Sequence, residues 1–412
     1  MKEFIEYIKE EKNTHMTHLE DQVIYGGVKG TRDAILALRS LRDMLAGSSK
    51  VSTDVTVKWD GAPAVFAGID PQDGQFFVAK KGIFNKNPKV YKSHADIEED
   101  TSGDLQDKLK IAYTELKKLG ITGVVQGDIM FINSDLKTDT IDGQKYITFH
   151  PNTIVYAVPA NSNEAKTIKS AKIGVVFHTS YSGATFETMK ASYGVDISKL
   201  NKVKSVWAQT ATLHDLSGTA TLTAKETEAL TKILSNAGKI FNVISSSTIK
   251  QIQDNPEFAR MIETYKNSFL RSKQEIPNTA ALVSGLIKWI EDKYSKEASK
   301  RKSEAGKKAQ YDARDKILSF FSPDNKKNLK LLFDLQNEIV RAKMTIIAKL
   351  DEIKSINTFV KTVNGFKVTG HEGFVAIDRI KGGAVKLVDR LEFSTNNFDP
   401  NIIKGWDSAS RS

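Results

Sequence analysis

The hydrophobic repeat of this chain changes period twice, and that limits the folds open to it. Over residues 51–92 apolar side chains alternate with a period of two, in VTVKWD, APAVFAGI and QFFVAKKG, with DPQDG as a turn. The strand pattern returns in GVVQGDIMFI, YITFHP, TIVYAVP and KIGVVFHT, up to about residue 190. From about 195 the spacing becomes that of amphipathic helices, beginning with TAKETEALTKILSNAGKIFNVI and ending with NLKLLFDLQNEIVRAKMTIIAKLDEI. At about 358 strands come back as NGFKVTG, HEGFVAIDRI and AVKLVDRLEF. Late strands need a sheet to join. The simplest solution is one α+β domain of antiparallel sheets and helices, made from residues 1–190 and 358–412 and interrupted by an all-helical inserted domain at 191–357.

Helices are also expected before and between the early strands. KEFIEYIKEE places Phe4, Ile5 and Ile8 at helical spacing. GTRDAILALRSLRDMLAG has Thr31 as a cap, a stripe of Ile35, Leu36, Leu38 and Leu41, and a stop at Gly47. The segment at 104–120 is amphipathic and ends at Gly120.

Composition excludes several chemistries. With no cysteine, disulfides, thiolate nucleophiles and cysteine-based zinc sites are ruled out. His15 and His18 in THMTHLED lack a third ligand at matching spacing, so a surface or capping role is expected instead of a metal site. No run of 18 apolar residues occurs, and the N-terminus carries acids within its apolar stretch. No membrane span or secretory signal is therefore expected. A cytoplasmic monomer is. The formal charge of +10 favours an anionic partner, nucleic acid before membrane.

Four polar positions sit on or beside strands, where burial is costly unless they meet each other or a ligand. They are Lys58-Trp59-Asp60-Gly61, Gln126-Gly127-Asp128, Glu372-Gly373-Phe374-Val375 and Lys386. Three of them have a plainer reading. Asp60-Gly61 is a strong turn signal, Glu372-Gly373 suits a β-bulge, and Asp128 could cap a turn.

Taken as an ordered set, these positions resemble the covalent nucleotidyltransferase superfamily of ATP-dependent RNA and DNA ligases and mRNA capping enzymes. The K-x-D-G motif falls on Lys58, Asp60 and Gly61. The next motif falls on AKKG, with Lys80 where an arginine is common. The third falls on Gly127-Asp128, the fourth on Glu372–Val375 and the fifth on Lys386. The base-stacking aromatic would be Phe177 in GVVFHT, with Tyr156 in VYAV as the competing assignment. Phe177 reads equally as a core residue. The chain most resembles RNA ligases of tailed phages. It departs from the pattern at Asp128, where glutamate is usual, at Val388, where a second lysine is common, and at Pro63, where an arginine often stands. No separate C-terminal OB domain is expected after Lys386, which favours an RNA ligase over a DNA ligase.

The resemblance implies a nucleotidyltransferase fold and three steps. A lysine amine takes AMP from ATP, passes it to a 5′-phosphate end, and a 3′-hydroxyl then displaces it. Lys58 is the expected nucleophile. Its amine must be neutral, although lysine ordinarily has a pKa near 10.4, so burial and like charges from Lys80 and Lys386 would have to lower it. Mg²⁺ (or Mn²⁺) would lie against Glu372 and Asp128. Gly61 would let backbone approach the nucleotide, and Asp60 would bond a ribose hydroxyl or orient Lys58. Nucleic-acid contacts are expected from Lys86, Lys89 and Lys92, interleaved with Phe84 and Tyr91. The basic segment 296–316 reads as a phosphate-contacting loop or helix, or as a solvated linker. The expected function is thus an ATP-dependent RNA ligase. The alternatives are a DNA ligase and a non-catalytic nucleic-acid-binding phage protein with a ligase-like fold.

Overall fold

A computed structural model of the chain describes residues 18–47, 53–213, 221–272, 274, 276–353, 356–378 and 384–405. The expected helix with Phe4, Ile5 and Ile8, and His15, lie outside the described residues. In chain order the strands are β1 (Thr53–Lys58), β2 (Ala64–Ile69), β3 (Phe76–Ala79), β4 (Val124–Ile132), β5 (Lys137–Ile141), β6 (Gln144–Phe149), β7 (Ile154–Pro159), β8 (Ile173–Ser182), β9 (Lys190–Tyr193), β10 (Val206–Thr210), β11 (Asn357–Thr362), β12 (Gly365–Val368), β13 (Gly373–Asp378), β14 (Ala384–Leu387) and β15 (Ile402–Ile403). The main helices are α1 (Gly27–Leu45), α2 (Gly103–Leu116), α3 (Ala224–Val243), α4 (Ser246–Gln253), α5 (Pro256–Arg271), α6 (Thr279–Ser299), α7 (Glu304–Leu318), α8 (Pro323–Leu350) and α9 (Arg390–Phe398).

The early and late strands share sheets, as a split α+β unit requires. A three-stranded sheet has the order β1-β13-β14, and a second has the order β12-β11-β7-β6-β5 with β15 on β11. The third sheet, β10-β8-β4-β2-β3 with β9 on β8, uses early strands alone. Strand pairs are antiparallel except β10 with β8. The chain is therefore a mixed helix and sheet protein with antiparallel sheets.

Two boundaries differ from the expected ones. Residues 191–357 are not all helical, because β9 and β10 complete the third sheet and the long helices start only at Ala224. VWAQT is too short to declare its period. The residues after β10 then run along β1, where the Val57 amide donates to Ala211 O at 2.8 Å and the Leu213 amide to Val55 O at 2.8 Å. This ties the third sheet to the first. In the other direction, α1 packs on α3 and α8 as well as on β1 and β13.

The helices start where capping groups satisfy their first amides. Thr223 and Glu226 form a reciprocal capping box on α3, and Ser322 caps α8 ahead of Pro323. One continuous core runs from Leu38 on α1 and Leu230 on α3 through Leu332 and Phe333 on α8 to Trp59, Tyr156 and Phe374. Polar side chains also cross this junction. Glu20 pairs with Lys343 of α8 at 2.8 Å and Asp21 with Arg390 of α9 at 2.8 Å, all four largely or wholly buried.

Candidate functional site

Lys58 is the last residue of β1 and lies opposite Gly373, the first of β13. Side chains alternate faces along a strand, so Val55 and Val57 turn into the core with Phe374 and Leu387. Thr56, Lys58, Val375 and Lys386 share the opposite face, since Thr56 pairs with Val375 and Val375 with Lys386. Two lysines distant in sequence thus stand on one small sheet. The Lys58 ammonium is ion-paired with Glu372, the residue just before β13. Gly373 keeps that carboxylate in place. Its φ is +151°, and a Cβ there would lie 2.6 Å from Leu387 O and 2.7 Å from Val388 Cγ2.

Asp60 is buried and held by three accepted hydrogen bonds. Its carboxylate accepts from Asn152 Nδ2 at 2.7 Å and from the amides of Thr153 and Ile154 at 2.7 and 2.9 Å. Its own amide donates to the Tyr156 hydroxyl at 2.7 Å. Trp59 stacks on Tyr156 with centroids 5.0 Å apart. The turn after Lys58 is therefore pinned to the β6–β7 corner, with three of the roughly four lone-pair directions of the Asp60 carboxylate taken up inside the protein. Gly61 then crosses β4, where a Cβ would meet Asp128 Cβ at 2.5 Å. Only glycine lets this turn lie on the strand that carries Asp128.

Asp128, on β4 opposite Ala64, completes the group. The side chains of Lys58, Asp128 and Glu372 keep 29%, 22% and 11% exposure, so the cluster is recessed yet open to solvent. Burial pushes the Asp128 carboxyl up to about 7; Lys58 opposes this and the charge of Asp60 adds to it. Burial likewise pushes Glu372 up to about 7, against the pull of Lys58 and with repulsion from Asp60 and Asp128. Lys386 is moved the other way, below the ordinary lysine range, by burial and by the like charges of Lys58 and Lys81. Two carboxyls poised near neutrality beside two lysines suit a site that takes up cations and phosphates.

Several expected residues lie elsewhere. Lys80 does not reach the cluster; it turns to Asp100 at 3.2 Å, and its neighbour Lys81 is the lysine whose charge acts on Asp128 and Lys386. Phe177 has no exposed surface and packs with Val65, Leu109, Ala112 and Ile129 beneath α2. Tyr156 is equally buried. Neither ring faces the site. A β-bulge in the β4–β8 pairing passes over His178, placing its Nε2 3.8 Å from Asp128 Oδ2. Burial and the charge of Lys58 lower the His178 pKa to about 4, so the ring is neutral at physiological pH. Reading the sequence missed His178 because a bulge shifts the alternation by one residue.

The lysines expected to hold nucleic acid are also changed in standing. Lys89 pairs with Asp100 at 2.5 Å, and Lys92 with Asp70 at 2.7 Å and Asp73 at 2.6 Å. Only Lys86 of the three has no ion pair among the described residues.

Asp128 and Glu372 suit Mg²⁺, which commonly takes one or two carboxylates and completes its shell with water and substrate phosphates. Among the described residues no group of three His, Asp or Glu side chains is placed to hold a metal unaided. No described helix is long and apolar enough to cross a membrane. No curated protein and no solved structure matches the chain. The model of a family of unknown function, DUF6267, matches residues 13–402, and the chain belongs to that family.

Proposed function

We propose that the protein is an ATP-dependent polynucleotide ligase working through a lysyl-AMP intermediate on Lys58. One observation carries the reading: β1 and β13 bring Lys58 against Glu372, with Lys386 on the same sheet face and Asp128 under the turn. RNA ends are placed ahead of DNA ends because the ordered set of motifs most resembles that of RNA ligases of tailed phages.

In this mechanism the Lys58 amine attacks the α-phosphorus of ATP. Glu372, whose proton affinity burial has raised, first takes one proton from the Lys58 ammonium; the neutral amine then forms the N–P bond as the bond to the pyrophosphate oxygen breaks, and the second amine proton leaves to water or with the pyrophosphate. Lys386 and Lys81 supply positive charge for the phosphate oxygens as negative charge shifts onto the leaving group. An oxygen of a 5′-phosphate end next attacks the bound phosphorus and the N–P bond breaks, returning the amine to Lys58. The 3′-hydroxyl then attacks the 5′-phosphorus and AMP leaves. Bound Mg²⁺ at Asp128 and Glu372 would neutralise phosphate charge. His178, neutral, is placed to hydrogen-bond Asp128 or the nucleotide.

One observation favours the second reading, a nucleic-acid-binding protein that has kept a ligase-like arrangement: Phe177 and Tyr156 are both sealed, leaving neither ring to stack on adenine. A ligation panel separates the two. Nicked duplexes and single strands with RNA or DNA on the 3′-hydroxyl side are incubated with ATP and Mg²⁺. The proposal expects ATP-dependent joining of 5′-phosphorylated RNA ends. Binding with no joining on any substrate favours the second reading.

A further inference from the structure

The lysines at 89 and 92 are internally neutralised, yet the chain carries a surplus of ten positive charges. Much of that surplus gathers at one place on the helical block. From Lys300 to Lys316 there are seven basic and three acidic residues, a far stronger bias than the 60 to 50 of the whole chain. This segment is not a linker. It is the turn between α6 and α7 and most of α7, with Ser303 capping the second helix through the Gly306 amide at 3.1 Å. Tyr294, Ala298 and Ile317 are buried, which anchors both arms of the hairpin and leaves its tip projecting.

Local pairing covers part of the charge only. Lys300 pairs with Glu297, Lys307 with Glu304 and Arg314 with Asp315. Lys296, Arg301, Lys302 and Lys308 are exposed and have no ion pair among the described residues. Of these, Arg301 acts on Glu297, which its hydrogen bond to Lys300 holds below the usual carboxylate range, with Lys293 adding to the effect. Tyr311 lies 38% exposed beside this surface, with the Arg314 guanidinium 4.9 Å above its ring. Exposed cations without partners, next to an aromatic face, are what a nucleic-acid backbone recruits. An anionic membrane would also want a broad apolar face, and Tyr311 is the only large exposed hydrophobic described on α6 or α7.

We infer that the tip of the α6–α7 hairpin, centred on Arg301, Lys302 and Lys308, is a phosphate-backbone contact for nucleic acid, separate from the lysine site. The inference rests on the polynucleotide part of the proposed function and not on its chemistry.

The test measures binding of a fluorescein-labelled RNA duplex between about 50 and 200 mM salt. Neutralising Arg301→Gln with Lys302→Gln should lower the slope of log affinity against log salt by about 2, with affinity at the low-salt end falling at least about tenfold. Lys169→Gln, at an exposed lysine outside both the hairpin and the lysine site, should bind as the wild type does. Melting temperatures of both variants confirm folding. The inference is overturned if the wild type does not bind, if the hairpin variant keeps the wild-type slope, or if Lys169→Gln lowers it equally. It is also overturned if phosphatidylserine vesicles, and not RNA, show the dependence on the hairpin. Failure of adenylation would leave this measurement intact, so the two readings fail separately.

Discussion

Lys58 and Glu372 stand at adjoining strand ends, one closing β1 and the other leading into β13, and their side chains form an ion pair. The whole helical block lies between them in the chain. Everything that holds this pair can be tested separately from what the pair does.

The first support is Gly373. Its backbone conformation is one that other residues rarely adopt, and a Cβ would meet Leu387 O at 2.6 Å. Gly373→Ala should therefore destabilise the fold by about 1–3 kcal/mol, read as a lowered urea midpoint with an unchanged slope. An alanine variant as stable as the wild type contradicts the close approach of β13 and β14.

Asp60 is the second support. Asp60→Ala leaves two buried amides, those of Thr153 and Ile154, without their acceptor. Each unpaired amide costs about 1–3 kcal/mol, and the loss should appear in chemical unfolding. Asp60→Asn keeps one acceptor oxygen and should fall between the two. If both variants melt with the wild type, the aspartate does not pin the turn.

The pH response has a definite sign. Asp128 and Glu372 titrate higher in the folded chain, at about 7, than carboxyls do when unfolded. In that window the folded state binds more protons, so the stability these groups contribute is full below about pH 4 and is lost as pH rises through 7. Asp128→Asn removes one of them. The variant should gain stability relative to wild type between pH 5 and 8, by an amount that grows with pH. A difference that is flat with pH rules out the raised carboxyl.

Lys92 was expected at the nucleic acid, and the structure gives it a different task. It neutralises Asp70, whose side chain is 4% exposed. Lys92→Ala should cost stability by about 1–3 kcal/mol and leave the salt slope of RNA binding unchanged. A lower slope at unchanged stability would return Lys92 to the binding surface.

The sequence was informative where period and polarity agree. Period-two runs located β1, β4, β8 and β13, and the polar residues in or beside them, Lys58, Asp128 and Glu372, lie within electrostatic reach of one another. What stayed hidden depends on details that pattern does not encode. A bulge exchanges His178 for Phe177 at the site. Lys80 and Lys81 are neighbours of the same type, and only the turn after β3 decides which of them Asp100 captures. β10 is five residues long and joins its sheet in parallel, against the trend of every other pair. That α1 bridges β1 and β13 to α3 and α8 follows from contacts for which a single amphipathic stripe gives no address.

The most direct test of the account is covalent labelling. Wild-type protein is incubated with ATP labelled at the α-phosphate and with Mg²⁺, then denatured, and the labelled residue is located by peptide mapping. The account predicts acid-labile label on Lys58, absent from Lys58→Ala and strongly reduced in Glu372→Ala and Lys386→Ala. Folded wild-type protein that takes no label, or label that persists in Lys58→Ala, contradicts it.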